Sequence, residues 1–383
     1  MTRSPVALLF ATQDRQVVWY YLDTIANLRA RGFAVHVVCS PGTDLDAIHA
    51  TGAHVHPIPM EREIAPIKDL RTLPLWLRLV RDIKPALAIG GTPKAGLVGM
   101  TVSALCRVPT RTYMLHGLRL EGATGAQRRL LGALEMLTSR AAHRVVAVSP
   151  SLAAVFEAGH YNAGRPVLVP GHGSSHGVDS ARFAPRPRDV NLAMDLGLAP
   201  DLPTILYLGR LTGDKGATML RETIERVAEQ MPAQLLCVGG TGDLDSATVS
   251  ASLAAARAKV VMVEHAVDVV PYLSLADVLV LPTRREGMPN VVLEAAAMEI
   301  PSVTTRVTGA TDSVIDAVTG YLVDYGDSAA MADRVVGLLR DPTGRRAMGS
   351  KARERVLRDF RPQDVARTIV DLTIGTGTPG PGQ

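Results

Sequence analysis

The chain has 383 residues, too many for one ordinary core, so two domains of roughly 150–200 residues are expected. A hydrophobic share of 47% with 20% charged residues excludes a disordered chain. Residues 1–180 carry 19 Lys and Arg against 12 Asp and Glu, and the remainder 22 against 25, so a basic half precedes an acidic one. An anionic partner for the first half, nucleic acid or phospholipid, and a solvated basic face without a partner are equal readings of that asymmetry.

In chain order, the opening MTRSPVALLFATQDR has an apolar run too short for a secretory signal and suited to a buried strand. Further strand candidates are AVHVVCS (34–40), HVHPIPM (54–60), ALAIGG (86–91), TRTYML (110–115) and RVVAVS (144–149). Between them WYYLDTIANLRARG, LRTLPLWLRLVRDIK and QRRLLGALEMLTSRAA read as helices, followed by VSPSLAAVFEAG with Ser149 or Ser151 as cap and Gly159 as stop. The stretch PGHGSSHGVDSARFAPRPRDVN reads as a connection between domains.

A second series follows: TILYLGR (204–210), AQLLCVG (233–239), KVVMVEH (259–265), DVLVLPT (277–283), SVTTRV (302–307) and GYLVDY (320–325), with helices ATMLRETIERVAEQM, SATVSASLAAARA, VVPYLSLA, NVVLEAAAMEI and SAAMADRVVGLLR between them. KARERVLRDF is a further helix, and the TIGTGTPGPGQ end is expected to be disordered. Two βαβ series predict an α/β protein with two doubly wound, Rossmann-like domains facing a central cleft. The expected spans are 1–180, 181–357, a C-terminal helix over 358–373 crossing back to the first domain, and a tail over 374–383. Aromatics make up only 4%, so the core is expected to be Leu, Val, Ile and Ala. Cys39, Cys106 and Cys237 show neither disulfide nor zinc spacing and read as thiols of a reducing cytoplasm. Nothing reaches the roughly 18 apolar residues of a membrane span.

Ligands of such folds sit beyond the carboxyl ends of the strands, and the unusual chemistry gathers there. In GRLTGDKG (209–216), Arg210 leaves a strand end and Lys215 precedes a helix, a site for a di-anion such as a pyrophosphate. Its glycines are read as letting backbone approach the ligand. In PTRREGMPNVVLEAA (282–296), Pro289 is placed in the first helical turn, so amides from Met288 to Val291 are left unpaired. Glu294 leans back toward that helix start, where a carboxylate suits a ribose diol, and Glu286 faces a second portion of the same ligand. Pairing of Glu286 with Arg284 or Arg285 is the bland alternative.

In YMLHGLRLEG, His116 ends a strand beside Gly117 and Arg119, and a structural histidine is as good a reading as a catalytic one. Lys94 in GGTPKAG meets an acceptor phosphate or is solvated. GHGSSHGVD (171–179) lacks the context of a dinucleotide fingerprint, and FATQDRQ offers none after the first strand, which argues against an NAD enzyme. DLD at 44–46 and 243–245 is too common a pattern to assign a metal.

Together these residues resemble a known family. GRL with DKG, EGMPNVVLEAAAMEIPSVTT and GATDSVIDAVTGYLV are similar to the C-terminal half of retaining GT-B glycosyltransferases of the family-4 type, with Glu286 and Glu294 meeting the Glu-x7-Glu spacing. TPKAG, LHGLRLEG, VAVSPSL and GSSHGVD resemble the bacterial branch that builds capsular, O-antigen and other lipid-linked glycans.

The resemblance implies a nucleotide-sugar donor, UDP first and GDP second, and a glycan or polyprenyl-diphosphate acceptor, with no nucleic acid, no cofactor and no metal. It implies that Arg210 and Lys215 hold the donor pyrophosphate and that Glu294 binds the ribose. Glu286 lies by the sugar, and Gly287, Met288, Pro289, Asn290 and Val291 lie along sugar and phosphate. His116 faces the reacting centre. Where relatives carry a glycine-rich loop after the first strand, this chain has Thr12, Gln13, Asp14 and Arg15, a loop assigned to the acceptor side with Lys94 and Arg119. His116-Gly117 departs from the His-Asp or His-Glu of some members. The basic helix with Arg71, Trp76, Arg78, Arg81 and Lys84 is read as a face for an anionic membrane, which would place a cytoplasmic enzyme at the inner surface. A nucleotide-sugar epimerase and a non-catalytic glycan-binding protein are the alternative readings on the same scaffold.

Overall fold

The computed structural model describes residues 4–61, 66–241, 248, 251–253 and 258–375. The expected helix over SATVSASLAAARA, the DLD of 243–245 and residues 376–383 of the tail lie wholly or largely outside them. The chain divides into two compact units, one of residues 1–177 with 362–383 and one of residues 178–361.

The first unit carries β1 (Val6–Gln13), β2 (Ala34–Ser40), β3 (His54–Pro57), β4 (Leu87–Gly91), β5 (Thr110–Leu115), β6 (Arg144–Ala147) and β7 (Val167–Leu168). They form one parallel sheet in the order β3-β2-β1-β4-β5-β6-β7. A parallel pair needs a crossover, and helices between successive strands bury both sheet faces, which is why these strands are apolar runs rather than alternating ones. Leu9 of β1 pairs in register with Val37 of β2 and Ile89 of β4. The order reverses between β1 and β4.

β1 extends three residues beyond the expected apolar run, and a helix over Asp14–Tyr20 starts at once. Thr12 and Gln13 are therefore strand residues, and the expected acceptor loop is not a loop. A second helix over Leu22–Ala30 follows, so the expected WYYLDTIANLRARG helix is divided at Tyr21. The basic helix runs over Pro66–Ile83 and tolerates an internal Pro74. Trp76 on it is fully buried with its ring edge-on to Phe10 at 5.6 Å, which corrects its placement on a membrane face. Arg71, Arg78, Arg81 and Lys84 are exposed.

The second unit carries β8 (Thr204–Leu208), β9 (Gln234–Val238), β10 (Lys259–Val263), β11 (Val278–Leu281), β12 (Ser302–Thr305) and β13 (Gly320–Val323). Its parallel order, β10-β9-β8-β11-β12-β13, repeats that of the first sheet and reverses between β8 and β11. The KARERVLRDF helix is the end of a longer one over Pro342–Asp359 that starts on a proline after its Asp341 cap.

The last helix, Pro362–Ile374, returns to the first unit. It starts later than the expected 358 and holds Thr373 and Ile374, the first residues of the supposed disordered end, in regular helix. Val365, Ile369, Val370 and Leu372 join the cluster of Leu9, Val37, Ile25 and Leu28. Arg31 pairs with Asp371 at 2.6 Å, and Arg144 donates to the Thr373 carbonyl at 3.0 Å near the helix end, where carbonyls lack intrahelical partners.

Core composition follows the aliphatic expectation for most buried positions but not for the bulkiest ones. The largest fully buried side chains are aromatic, among them Trp76, Tyr21, Tyr113, Tyr207, Phe10, Phe156 and Phe360. A scarce residue type still fills the widest gaps, because a ring buries the most area for little lost rotamer freedom. Cys39 and Cys237 are buried, Cys106 is half-buried, and all three are free thiols.

Candidate functional site

The two segments singled out by sequence leave the two strands that flank the reversal in the second sheet, where an α/β fold presents its crevice. Residues 209–216 follow β8 and residues 282–290 follow β11. The structure stitches them together. Arg284 N donates to the Asp214 carbonyl at 2.9 Å, and Thr283 Oγ1 reaches the same oxygen at 3.3 Å. Asp214 accepts from Arg285 Nη2 at 2.6 Å, and Lys215 Nζ donates to Glu286 Oε1 at 2.5 Å. Two consecutive charges on one segment thus match two consecutive charges on the other. Glu286 pairs with neither Arg284 nor Arg285 among the described residues, because Arg285 is drawn to Asp214.

Glycine makes this approach possible, though not for a ligand. Gly216 has φ +78°, and a Cβ there would lie 1.8 Å from the Pro282 carbonyl oxygen. Gly309, at φ +75°, likewise admits the Gly287 carbonyl, which a Cβ would meet at 2.3 Å, while Glu286 N donates to the Thr308 carbonyl at 3.0 Å. The 286–287 turn is held from both sides.

The helix beyond it spans Asn290–Ala297, with Pro289 as its N-cap residue, one position outside the expected first turn. The amides of Met288, Asn290 and Val291 have no hydrogen-bond partner among the described residues, and Val292 N is the first to bond back, to the Pro289 carbonyl at 3.0 Å. The buried Oδ1 of Asn290 is also unpartnered. The side-chain carboxyl of Glu294, one turn in, makes no hydrogen bond or ion pair among the described residues. Burial pushes its carboxyl up to about 7, opposed by the Arg182 charge. Arg182 itself pairs with Asp268 at 3.0 Å. Arg210 is exposed, its carbonyl accepts from Tyr207 Oη at 2.8 Å, and its guanidinium has no ion-pair partner among the described residues. One end of this unit therefore combines two cations, unbonded amides and a carboxyl with no ion-pair contact among the described residues. Such a set binds a group that is anionic in the middle and hydroxylated at its ends.

In the first unit, His116 directly follows β5. Its ring stacks on Tyr20 at 4.4 Å between centroids, and its Nε2 lies 3.0 Å from Tyr21 Oη. Burial, with the His176 charge adding to it, lowers the imidazole to about 3, so it is neutral at physiological pH. The sequence reading missed Tyr20, Tyr21 and His176. The tyrosines look like ordinary helix residues and lie about 95 positions from His116, and His176 sat inside a discounted glycine motif.

The acceptor-side residues separate into two kinds. Thr12 and Asp14 are buried and engaged: Thr12 Oγ1 bonds Thr92 Oγ1 at 2.7 Å across the β1/β4 reversal, and Asp14 accepts from the amides of Arg15 and Asp44, each at 2.8 Å. They shape the carboxyl edge of the sheet. Arg15 and Arg119 are exposed, with Arg15 on Asp44 at 3.0 Å, and Lys94 is half-buried in the first turn after β4.

The profile described as glycosyl transferase 4-like domain matches residues 17–172, and that of glycosyl transferases group 1 matches residues 202–341. The capsular polysaccharide biosynthesis glycosyltransferase CapM of Staphylococcus aureus is 34% identical over 343 residues, 88% of this chain and 89% of the relative. The chain belongs to the family-4 type of GT-B glycosyltransferases. An Escherichia coli relative of this glycosyltransferase, named UDP-Gal:alpha-D-GlcNAc-diphosphoundecaprenol alpha-1,3-galactosyltransferase, is 22% identical over 82% of this chain and 81% of its own. Among solved structures, Anabaena Alr3699/HepE in complex with UDP and glucose matches with a TM-score of 0.80 and 19% identity, covering 97% of this chain and all of that one. The Staphylococcus aureus relative is named for capsular polysaccharide biosynthesis, and this chain shares its family. No helix among its described residues is long and apolar enough to cross a membrane.

Proposed function

We propose that this glycosyltransferase moves a hexosyl or N-acetylhexosaminyl group, with retention, from a UDP-sugar to a glycan or polyprenyl-diphosphate-linked acceptor of a bacterial surface polysaccharide. The observation that carries the reading is the pairing of residues 214–215 with 285–286, which sets Lys215 against Glu286 beside unbonded amides. The UDP-Gal in the name of the Escherichia coli relative supports the choice of nucleotide.

On this reading Glu294 accepts from the ribose hydroxyls, and Arg210, Lys215 and the amides of Met288, Asn290 and Val291 hold the diphosphate. Bond cleavage between the anomeric carbon and the phosphate oxygen leaves charge on the diphosphate, which these cations and dipoles stabilise in place. No resident cofactor is invoked, and the nucleotide sugar is a substrate. The acceptor oxygen bonds the anomeric carbon from the departing side, and its proton passes to the phosphate oxygen being released. Glu286 borders the donor sugar, with the Lys215 pair opening when phosphate competes for the ammonium. His116 serves the reacting centre, with Lys94, Arg15 and Arg119 toward the acceptor. Arg71, Arg78, Arg81 and Lys84 give the first unit a basic face for an anionic bilayer, and binding to anionic vesicles that salt abolishes is expected.

A thermal-shift screen against UDP-, GDP- and ADP-sugars tests the donor assignment, because a ligand stabilises by its excess over Kd. A rise with UDP-sugars is expected, and none with any nucleotide would overturn the reading. Arg210→Ala and Lys215→Ala are each expected to lower kcat by about 100-fold, the scale for removing one transition-state charge donor.

A further inference from the structure

We propose that Tyr21 is a positioning residue for His116: its hydroxyl donates to Nε2 and holds the ring as the neutral tautomer with the proton on Nδ1. This rests on the reading of His116 as a residue of the transferase site, and it specifies which ring atom serves there.

The geometry decides the direction of the bond. Tyr21 Oη and His116 Nε2 are 3.0 Å apart, and either atom could in principle donate. Tyr21 is only 1% exposed, so its phenol proton has no route to bulk water. Among the described residues, no acceptor other than His116 Nε2 lies within hydrogen-bond reach of that hydroxyl. If Nε2 carried the imidazole proton, the phenol proton would be buried without a partner, at a cost of about 1–3 kcal/mol. Burial also raises the phenol far above its ordinary range, so it stays a donor.

The ring is fixed on its other sides too. Gly91 ends β4 against it, and a Cβ there would lie 2.6 Å from His116 Cδ2 and 2.8 Å from Nε2. Tyr20 covers one face of the ring, and His176 stands 6.3 Å from Tyr20 between centroids. Tyr20, Tyr21 and His176 are the titratable groups shown to interact with the imidazole among the described residues, and none of them supplies an anion at neutral pH to favour an imidazolium. His116 Nδ1 has no partner among the described residues. The chain thus presents an N–H donor of neutral imidazole from Nδ1. It suits a hydroxyl or ring oxygen of a sugar.

Histidine-selective 15N labelling of the full chain, read by long-range proton–nitrogen correlation, tests the assignment. The His116 signals are identified by their loss in His116→Asn. The wild type is expected to show protonated Nδ1 and unprotonated Nε2 across the neutral pH range; a proton on Nε2 would overturn the proposal. Tyr21→Phe is expected to release the ring into a mixture of tautomers. It is also expected to lower kcat at least about 10-fold while donor KM changes less than about 2-fold, the pattern of a transition-state interaction. An unchanged tautomer in Tyr21→Phe would equally overturn it, and if that variant fails to fold the wild-type spectrum decides alone. Kinetics use the nucleotide sugar that passes the thermal-shift screen. Full turnover by His116→Asn would reject the role of His116 in the reaction without altering the spectrum, so the two failures are separable.

Discussion

Glu294 shows what a single residue contributes and what its surroundings add. Its position eight residues after Glu286 is legible in the sequence, and so is its place one turn into a helix. Its protonation is not, because that depends on burial and on Arg182, which lies over 100 positions earlier. A carboxyl raised to about 7 is protonated below that pH and becomes a two-oxygen acceptor above it. A ribose diol is held best by the ionised form, so UDP affinity is expected to increase as pH rises through about 7. Isothermal titration from about pH 6 to 8 checks this, with Glu294→Gln as reference, since UDP's own phosphate titration is common to both. A wild-type curve parallel to that of the glutamine variant would remove Glu294 from the ribose site. Glu286 teaches the complementary lesson. Its nearest cations in sequence, Arg284 and Arg285, are not its partner, because tertiary pairing places Lys215 at 2.5 Å and gives Arg285 to Asp214.

At the scale of elements, the alternation of strand and helix was readable because buried parallel strands are short apolar runs and the helices between them have one apolar face. Twelve of the thirteen strands among the described residues needed little beyond that pattern; β7, with only Val167 and Leu168, carried too little signal. Ends were less legible. β1 runs on to Gln13 because Gln13 pairs with Ser40 of β2 past a break in the register, and Thr12 bonds Thr92, 80 residues away, which no local pattern announces. The glycines of 209–216 were visible, but which of them matters was not. Gly216 combines a left-handed φ with a backbone carbonyl at 1.8 Å from any added Cβ, whereas Gly213 has open space around it. Gly216→Ala is therefore expected to cost about 2 kcal/mol or more, and Gly213→Ala less than about 0.5 kcal/mol. Denaturant midpoints of the two variants check the contrast, and equal midpoints would show that the segments do not need this close approach. Nucleotide stabilisation is expected to fall in Gly216→Ala as well, because displacing Pro282 moves the 282–290 segment.

For the whole molecule, the last helix is the feature that ties sequence ends together. It belongs to the first unit although it follows the second in the chain, and it buries Val365, Ile369, Val370 and Leu372 in that unit's core. Four such side chains at about 1.5–3 kcal/mol each amount to roughly 6–12 kcal/mol, comparable with the stability of a whole domain. Ending the chain at Arg361 is thus expected to leave the second unit folded and able to bind UDP while the first becomes sensitive to protease. Protection of the first unit at the wild-type level would show that the helix is dispensable. The sequence by itself determined the class of fold, the two βαβ series and the family, since these rest on local apolar runs and on motifs short enough to be contiguous. Tertiary structure alone decided which charges pair, which proton sits on which ring nitrogen and which carboxyl is raised. The physical reason is that Coulombic and hydrogen-bond energies depend on distance in space and on desolvation, and residues 71, 95 or more than 100 positions apart acquire both only when the chain folds.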